Sequence, residues 1–258
     1  MSLIMNVCVL VTRPKNQAEV LCRLLEQAGC LSMRLPVIEI EALQQSKNTF
    51  FLDKVAGYDW LVFVSVNAVK FSLAVWPQAQ QIVCKQNIAA VGLATAQAIE
   101  AVGVDVDVIP ESGFNSEALL VALSEQQVSG QKILIVRGQG GREWLADRLR
   151  FLGAEVDYWE VYRRIKPPIS HQVMIGLEIG SKVDIVTITS TEALDNLLAM
   201  VDDDINRVLK LKPLIVISER IRKKALGLGF KHVVVTQTPA PKDIVVAVKS
   251  ISNGEDCG

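Results

Sequence analysis

Short runs of apolar and β-branched residues recur along the chain, each followed by a stretch whose apolar positions return every three or four residues. The runs are Val7 to Val11, Trp60 to Val64, Ile88 to Val91, Ile133 to Val136, Val183 to Thr189, Leu214 to Ile217 and Val233 to Val235. Runs of this kind predict strands buried on both faces. Their alternation with helical patterns predicts an α/β chain of parallel sheets covered by helices on both sides.

The pattern also repeats. VLVTRPKNQAEVLCRLLEQAG from Val9 aligns without a gap with ILIVRGQGGREWLADRLRFLG from Ile133, pairing Arg13 with Arg137, Glu19 with Glu143 and Gly29 with Gly153. Asp59 to Ala68 then matches Asp184 to Ala193, and Gly92 to Gly103 matches Ser218 to Gly229, with the offset growing by one residue each time. Three ordered matches predict an internal duplication. Leu21, Leu25 and Ala28 in one matched helix, and Leu145, Leu149 and Leu152 in the other, form core-facing stripes. Gly29 and Gly153 fall where a helix C-terminus calls for positive φ. Leu35 to Ile40 and Trp159 to Arg164 occupy equivalent places after the first βαβ step of each half, and Lys166-Pro167-Pro168 interrupts the pattern as a linker does.

Composition narrows the classes. In 258 residues, half of them apolar, there is material for one large core or two modest ones, and the length favours two. A formal charge of −1, with Lys and Arg dispersed, gives no basic field for nucleic acid or an anionic membrane, so any acidic ligand has to be held by local devices. The cysteines Cys8, Cys22, Cys30, Cys84 and Cys257 are odd in number and lack CxxC spacing, which argues against a disulfide framework or zinc and for a reducing compartment. His171 and His232 have no second ligand near them in sequence, so neither a metal site nor a histidine-based nucleophile is expected. Met1 to Leu10 lacks the basic start and cleavage site of a signal peptide and is expected to enter the first strand. No apolar run approaches the ~20 residues of a membrane helix, and the expected location is the cytoplasm.

In parallel α/β sheets ligands bind beyond the C-terminal strand ends, where helix N-termini offer free N–H groups. The turns there are Thr12-Arg13-Pro14, Ser65 to Ala68, Gly92 to Ala96, Arg137 to Glu143, Thr189 to Ala193 and Ser218-Glu219-Arg220. Any one Ser, Thr or Asn is accounted for by helix capping. Six such turns, several with arginine or glycine that capping does not need, predict a cluster for an anion. Gly138 to Glu143 fits neither GxGxxG nor GxxxxGK[ST], which speaks against a nucleotide cofactor. Asp202-Asp203-Asp204 reads as a solvated helix start.

Taken in order, VLVTRP at Val9, VFVSVNAV at 62–69, AVGLATA at 90–96, ILIVRGQGGRE at 133–143, VYRR at 161–164, TITSTEAL at 187–194 and VISER at 216–220 resemble the uroporphyrinogen-III synthase family. The resemblance implies two Rossmann-like domains joined by a two-strand linker. Domain 1 would be 1–35 with 166–258, domain 2 would be 41–158, and the linker strands 36–40 and 159–165, so the domain division cuts across the duplication. It implies a monomer that needs no cofactor or metal, acts on the polyanionic open-chain tetrapyrrole hydroxymethylbilane, and makes transient contact with the preceding pathway enzyme. The implied reaction expels the terminal hydroxyl as water, and attack by the far ring through a spiro intermediate inverts that ring.

Carried over by motif, Tyr162 is the implied proton donor, although the same tyrosine also reads as a packing residue of the wall. Arg13, Ser65, Asn67, Thr95, Arg137, Gly138, Arg142, Ser190, Thr191, Ser218 and Arg220 are the implied substrate contacts. The family often has glycine and paired threonines where this chain has Ser218-Glu219-Arg220, which leaves Arg220 in a special position. A two-domain cytosolic binding protein for an anionic metabolite is the alternative reading.

Overall fold

The computed structural model describes residues 7–43, 55–73, 85–169 and 182–254. Residues 1–6, Cys84, His171 and Cys257, on which expectations were placed above, lie outside them. In chain order the elements are β1 (Cys8–Val11), α1 (Lys15–Gln27), β2 (Leu31–Arg34), β3 (Glu39–Ala42), β4 (Trp60–Phe63), α2 (Val66–Ser72), β5 (Asn87–Ala90), α3 (Leu93–Glu100), α4 (Ser116–Ser124), β6 (Lys132–Gly138), α5 (Trp144–Phe151) and β7 (Glu155–Ile165). There follow β8 (Ile185–Ile188), α6 (Thr191–Met200), α7 (Asp203–Leu211), β9 (Leu214–Val216), α8 (Glu219–Gly227), β10 (Val233–Val235) and α9 (Pro241–Ser252). The chain divides into two compact units, 1–39 with 165–258, and 40–164.

The first unit is built on a sheet of order β10-β9-β8-β1-β2, parallel at each of these pairings. Because side chains alternate across a strand, Leu10 faces one core with Val186, Leu194, Leu214 and Phe230, while Val9 and Val11 face another with Leu21, Leu25, Ile244 and Val248. A strand buried on both faces has no solvent side to mark with polar residues, which is why β1 and β8 read as unbroken apolar runs. The acidic run meets water at a helix start, where Asp202 caps α7 by accepting from the Ile205 N–H at 2.8 Å.

The second unit has a sheet of order β3-β7-β6-β4-β5. Phe63, Leu134 and Val136 enter one core with Val69, Ile99 and Trp159, and Val62, Ile133 and Ile135 enter the other with Leu119, Leu123 and Leu149. At the edge, the Leu43 N–H donates to the Val161 carbonyl at 3.0 Å. Residues 36–38 precede β3 outside any strand, with Val37 and Ile38 buried in the first unit's core.

Within the two sheets, β9-β8-β1-β2 and β5-β4-β6-β7 occupy corresponding places, the same correspondence that the duplicated sequence blocks trace. Val108 bridges Ala89 beside β5 as β10 lies beside β9. In each sheet the chain leaves one strand toward one edge and its neighbour toward the other. That change of direction falls between β1 and β8 in the first unit and between β4 and β6 in the second, the kind of place where open parallel sheets take up ligands.

Candidate functional site

In the second unit the strand ends at the change of direction bring three sequence-picked residues into contact. Ser65 follows β4 and caps α2, its Oγ accepting from the Ala68 N–H at 3.0 Å. The pairing of β6 with β7 slips after Arg137, which faces Glu160, so that Gly138 faces Tyr162 and Val161 is left over. A bulge of this sort re-aims the following side chain, and here it sets the Tyr162 Oη 3.2 Å from the Ser65 Oγ. The tyrosine is 4% exposed, and its ring centroid lies 5.8 Å from that of Phe71. Gly138 permits this approach. A Cβ there would collide with the Tyr162 ring and come within 2.9 Å of its Oη, so the residue under the phenol has to be glycine.

The glycine-rich loop after β6 is braced from inside by Arg137. This arginine is buried; its Nε donates to the Gly138 carbonyl at 3.1 Å and its Nη1 to the Arg142 carbonyl at 3.4 Å. Its guanidinium sits 4.4 Å from the centroid of the Tyr158 ring, and a Cβ on Gly141 would come within 2.6 Å of Nη2. The positive charge implied for substrate is thus engaged by the loop that it shapes. Arg142, by contrast, is exposed and pairs with Glu117 at 2.7 Å. That hydrogen bond holds the Glu117 carboxyl below its ordinary pKa. Asn67 lies half-buried in the first turn of α2, and Thr95 is buried in the first turn of α3, where its N–H donates to the Gly92 carbonyl at 3.0 Å.

In the first unit the corresponding strand ends are tied by two threonines, Thr12 of the first predicted anion-binding turn and Thr187, neither of which was among the implied substrate contacts. Thr12 Oγ1 donates to the Thr187 carbonyl at 2.7 Å, and Thr187 Oγ1 donates to the Leu10 carbonyl at 2.9 Å, both within the protein interior. For Thr187 the available signal was a hydroxyl inside a strand otherwise made of aliphatic residues. Arg13, next in sequence, donates from Nη2 to the Pro239 carbonyl at 3.0 Å, while its buried Nε has no hydrogen-bond partner. Burial pushes the pKa of this guanidinium down. Ser190 caps α6 through the Ala193 N–H at 2.9 Å, with Thr191 half-buried at the first helical position. Ser218 caps α8 through the Ile221 N–H at 3.5 Å, and Arg220 is exposed in that helix's first turn.

The implied contacts therefore sort by strand. Arg13, Ser190 and Thr191 flank the β1–β8 boundary of one sheet, and Ser65, Asn67, Gly138, Tyr162 and Arg142 gather about the β4–β6 boundary of the other. Ser218, Arg220 and Thr95 stand one strand further out, after β9 and β5. Among the described residues no group of three or more His, Cys, Asp or Glu is placed to hold a metal ion, and no helix is long and apolar enough to cross a membrane.

Comparison with known proteins bears on the same elements. The sequence model of the family described as "Uroporphyrinogen-III synthase HemD" matches residues 19–246. A uroporphyrinogen-III synthase of Escherichia coli K12 is 30% identical over 236 residues, 87% of this chain and 93% of that protein. A protein of Methanothermobacter thermautotrophicus described as "Putative uroporphyrinogen-III synthase" is 28% identical over 258 residues, covering 95% and 98%. The fold is shared with uroporphyrinogen-III synthetase from Helicobacter pylori at a TM-score of 0.63 and 12% identity, over 96% of this chain and all of that one. It is also shared with a mutant uroporphyrinogen III synthase from Thermus thermophilus at a TM-score of 0.61 and 16% identity, over 97% and 100%. With a match that runs from the first helix into the last, the chain belongs to the uroporphyrinogen-III synthase family.

Proposed function

We propose that the chain cyclises hydroxymethylbilane to uroporphyrinogen III with loss of water, inverting the terminal pyrrole ring. The observation that carries this reading is the family match over residues 19–246. The clustering of Ser65, Gly138 and Tyr162 at the β4–β6 boundary supports it. The linear tetrapyrrole closes spontaneously to the uninverted isomer, so the protein's task is to hold the chain with the substituted carbon of the far ring closest to the electrophile, a matter of proximity and orientation.

Tyr162 supplies the proton that leaves with the hydroxyl. Its Oη lies within hydrogen-bond distance of Ser65 Oγ. Ser65, Asn67, Thr95, Ser190, Thr191 and Ser218 meet the carboxylate arms through hydroxyls, amides and helix N–H groups, and Arg13, Arg142 and Arg220 supply charge. Arg137 and Gly138 act by shaping the loop and admitting the phenol. Segments 36–40 and 159–165, which include the start of β3 and the later part of β7, are read as the linker between domains 41–158 and 1–35 with 166–258. The protein is read as a cytoplasmic monomer that works without a cofactor and meets the preceding pathway enzyme transiently. Purified protein given fresh hydroxymethylbilane, with nothing added, should yield the type III isomer. Recovery of type I alone would overturn the reading.

A further inference from the structure

Phe114 combines an unfavourable backbone conformation with an aromatic ring at the surface. Its φ is +34°, in the region that L-residues with side chains seldom enter. It follows Gly113, at φ +85°, and precedes Asn115, whose Oδ1 caps α4 by accepting from the Ala118 N–H at 2.8 Å. Two residues further on, Glu117 ties the same turn to Arg142 of the glycine-rich loop. The chain that follows Phe114 is thus held in two places, by the cap of α4 and by the pair with Arg142. Strain of this kind is found where a side chain has to be presented in one direction.

The direction is defined by what Phe114 touches. Gly92, the residue that opens α3 after β5, has no room for a Cβ, which would fall 2.9 Å from the Phe114 Cβ and 3.3 Å from its Cγ. A phenylalanine buried by folding would need no further account, but this one is 47% exposed, and Leu93 beside Gly92 is 53% exposed. The result is a fixed apolar platform at the C-terminal edge of the second unit's sheet, next to the turn that contains Thr95.

We infer that Phe114 is a substrate-binding residue that offers its ring face to one pyrrole of the linear tetrapyrrole while the adjoining turn meets that ring's carboxylate arm. The inference rests on the proposed function and assigns a role to a residue outside the motifs that suggested it. A pyrrole is a flat π-system with polar arms, so an aromatic platform beside a polar turn matches both halves of it. By fixing one ring, the platform limits how the flexible chain can fold and so contributes to which isomer forms.

The test uses the full chain with Phe114→Ala, Phe114→Gly and Phe114→Tyr. Loss of the ring should raise the apparent KM for hydroxymethylbilane about fivefold, the scale of one aromatic pair, and raise the share of type I product, and Tyr should restore both. Phe114→Gly separates this from a structural role, since glycine accepts the positive φ: its thermal melting point should match or exceed that of the wild type while the KM stays raised. Binding of uroporphyrin III, followed by its own fluorescence, should weaken in the Ala and Gly variants and provides a readout without turnover. Unchanged KM, isomer ratio and uroporphyrin binding in the folded Gly variant, or failure of Tyr to restore them, would overturn the platform. Wild-type protein that forms only type I product would instead overturn the proposed function, with the porphyrin-binding comparison still deciding on Phe114.

Discussion

The phenol of Tyr162 and the hydroxyl of Ser65, 97 residues apart in sequence, approach to 3.2 Å. Ser65 follows the end of β4 and Tyr162 lies within β7, and the contact depends on the bulge that turns Tyr162 over Gly138. Since Ser65 Oγ already accepts from the Ala68 N–H, the serine joins the phenol to the start of α2.

Tyr162→Phe keeps the ring on Gly138 and removes only the oxygen. Type III formation should slow about a hundredfold, the lower end of what a positioned proton donor contributes, while product affinity changes little. Stability should fall by about 1 kcal/mol, the worth of one hydrogen bond. Turnover equal to wild type in a single-turnover assay would leave Tyr162 as wall packing.

Gly138→Ala should do more harm than its one methyl suggests. The added Cβ would meet the buried ring, and overpacking of this kind costs about 1–3 kcal/mol. Denaturant unfolding should report that loss, and turnover should fall with it because the phenol is displaced from Ser65.

Arg142→Ala should raise the apparent KM with kcat nearly unchanged, as expected for a charge that binds substrate and transition state alike. Arg142 is 69% exposed and its partner Glu117 is 45% exposed, so chemical denaturation should shift by less than about 1 kcal/mol. A KM identical to wild type would remove Arg142 from the contacts.

Thr12→Val should destabilise the first unit by about 1–3 kcal/mol, because the buried Thr187 carbonyl loses its donor. Thr12→Ser keeps that donor and should recover most of the loss. Guanidinium unfolding of the two variants makes the comparison.

Tyr58 gives a pH dependence of known sign. Burial, with a hydrogen bond to Asp157, pushes its pKa from 10.0 to about 12. The folded value lies above the unfolded one, so the stabilisation is complete below pH 10 and is lost as pH rises through about 12. Tyr58→Phe should flatten that limb of the stability profile, and ultraviolet difference titration should show one tyrosine fewer ionising late.

What the sequence made legible was whatever depends on local pattern. Strands buried on both faces, such as β4 and β6, announce themselves as apolar runs, and Ser65, Ser190 and Ser218 are visible as small polar residues in the turns between a strand and a helix, where each caps its helix. Arg137 shows where such reading stops. It looks like Arg13 in the aligned repeats, yet it turns inward onto Tyr158 and the loop carbonyls, while Arg13 leaves a buried Nε without a partner. Rotamer and burial decide between those fates, and neither is written in a motif. The bulge that aims Tyr162 was hidden for the same reason, since it results from the pairing of β7 with β6, and the positive φ of Phe114 has no sequence signature in a residue with a bulky side chain.

The pairing of β1 with β8 also sets an order of events during synthesis. Thr12 and Thr187 are 175 residues apart, whereas every strand of the second unit's sheet lies in one stretch of chain, Glu39 to Ile165. On the ribosome the second sheet can therefore be finished while β1, wholly apolar, is still without its partner β8. Domains fold as units as the chain emerges, so β1, made before the second sheet, is housed after it, and the nascent protein must keep it from sticking elsewhere in the meantime.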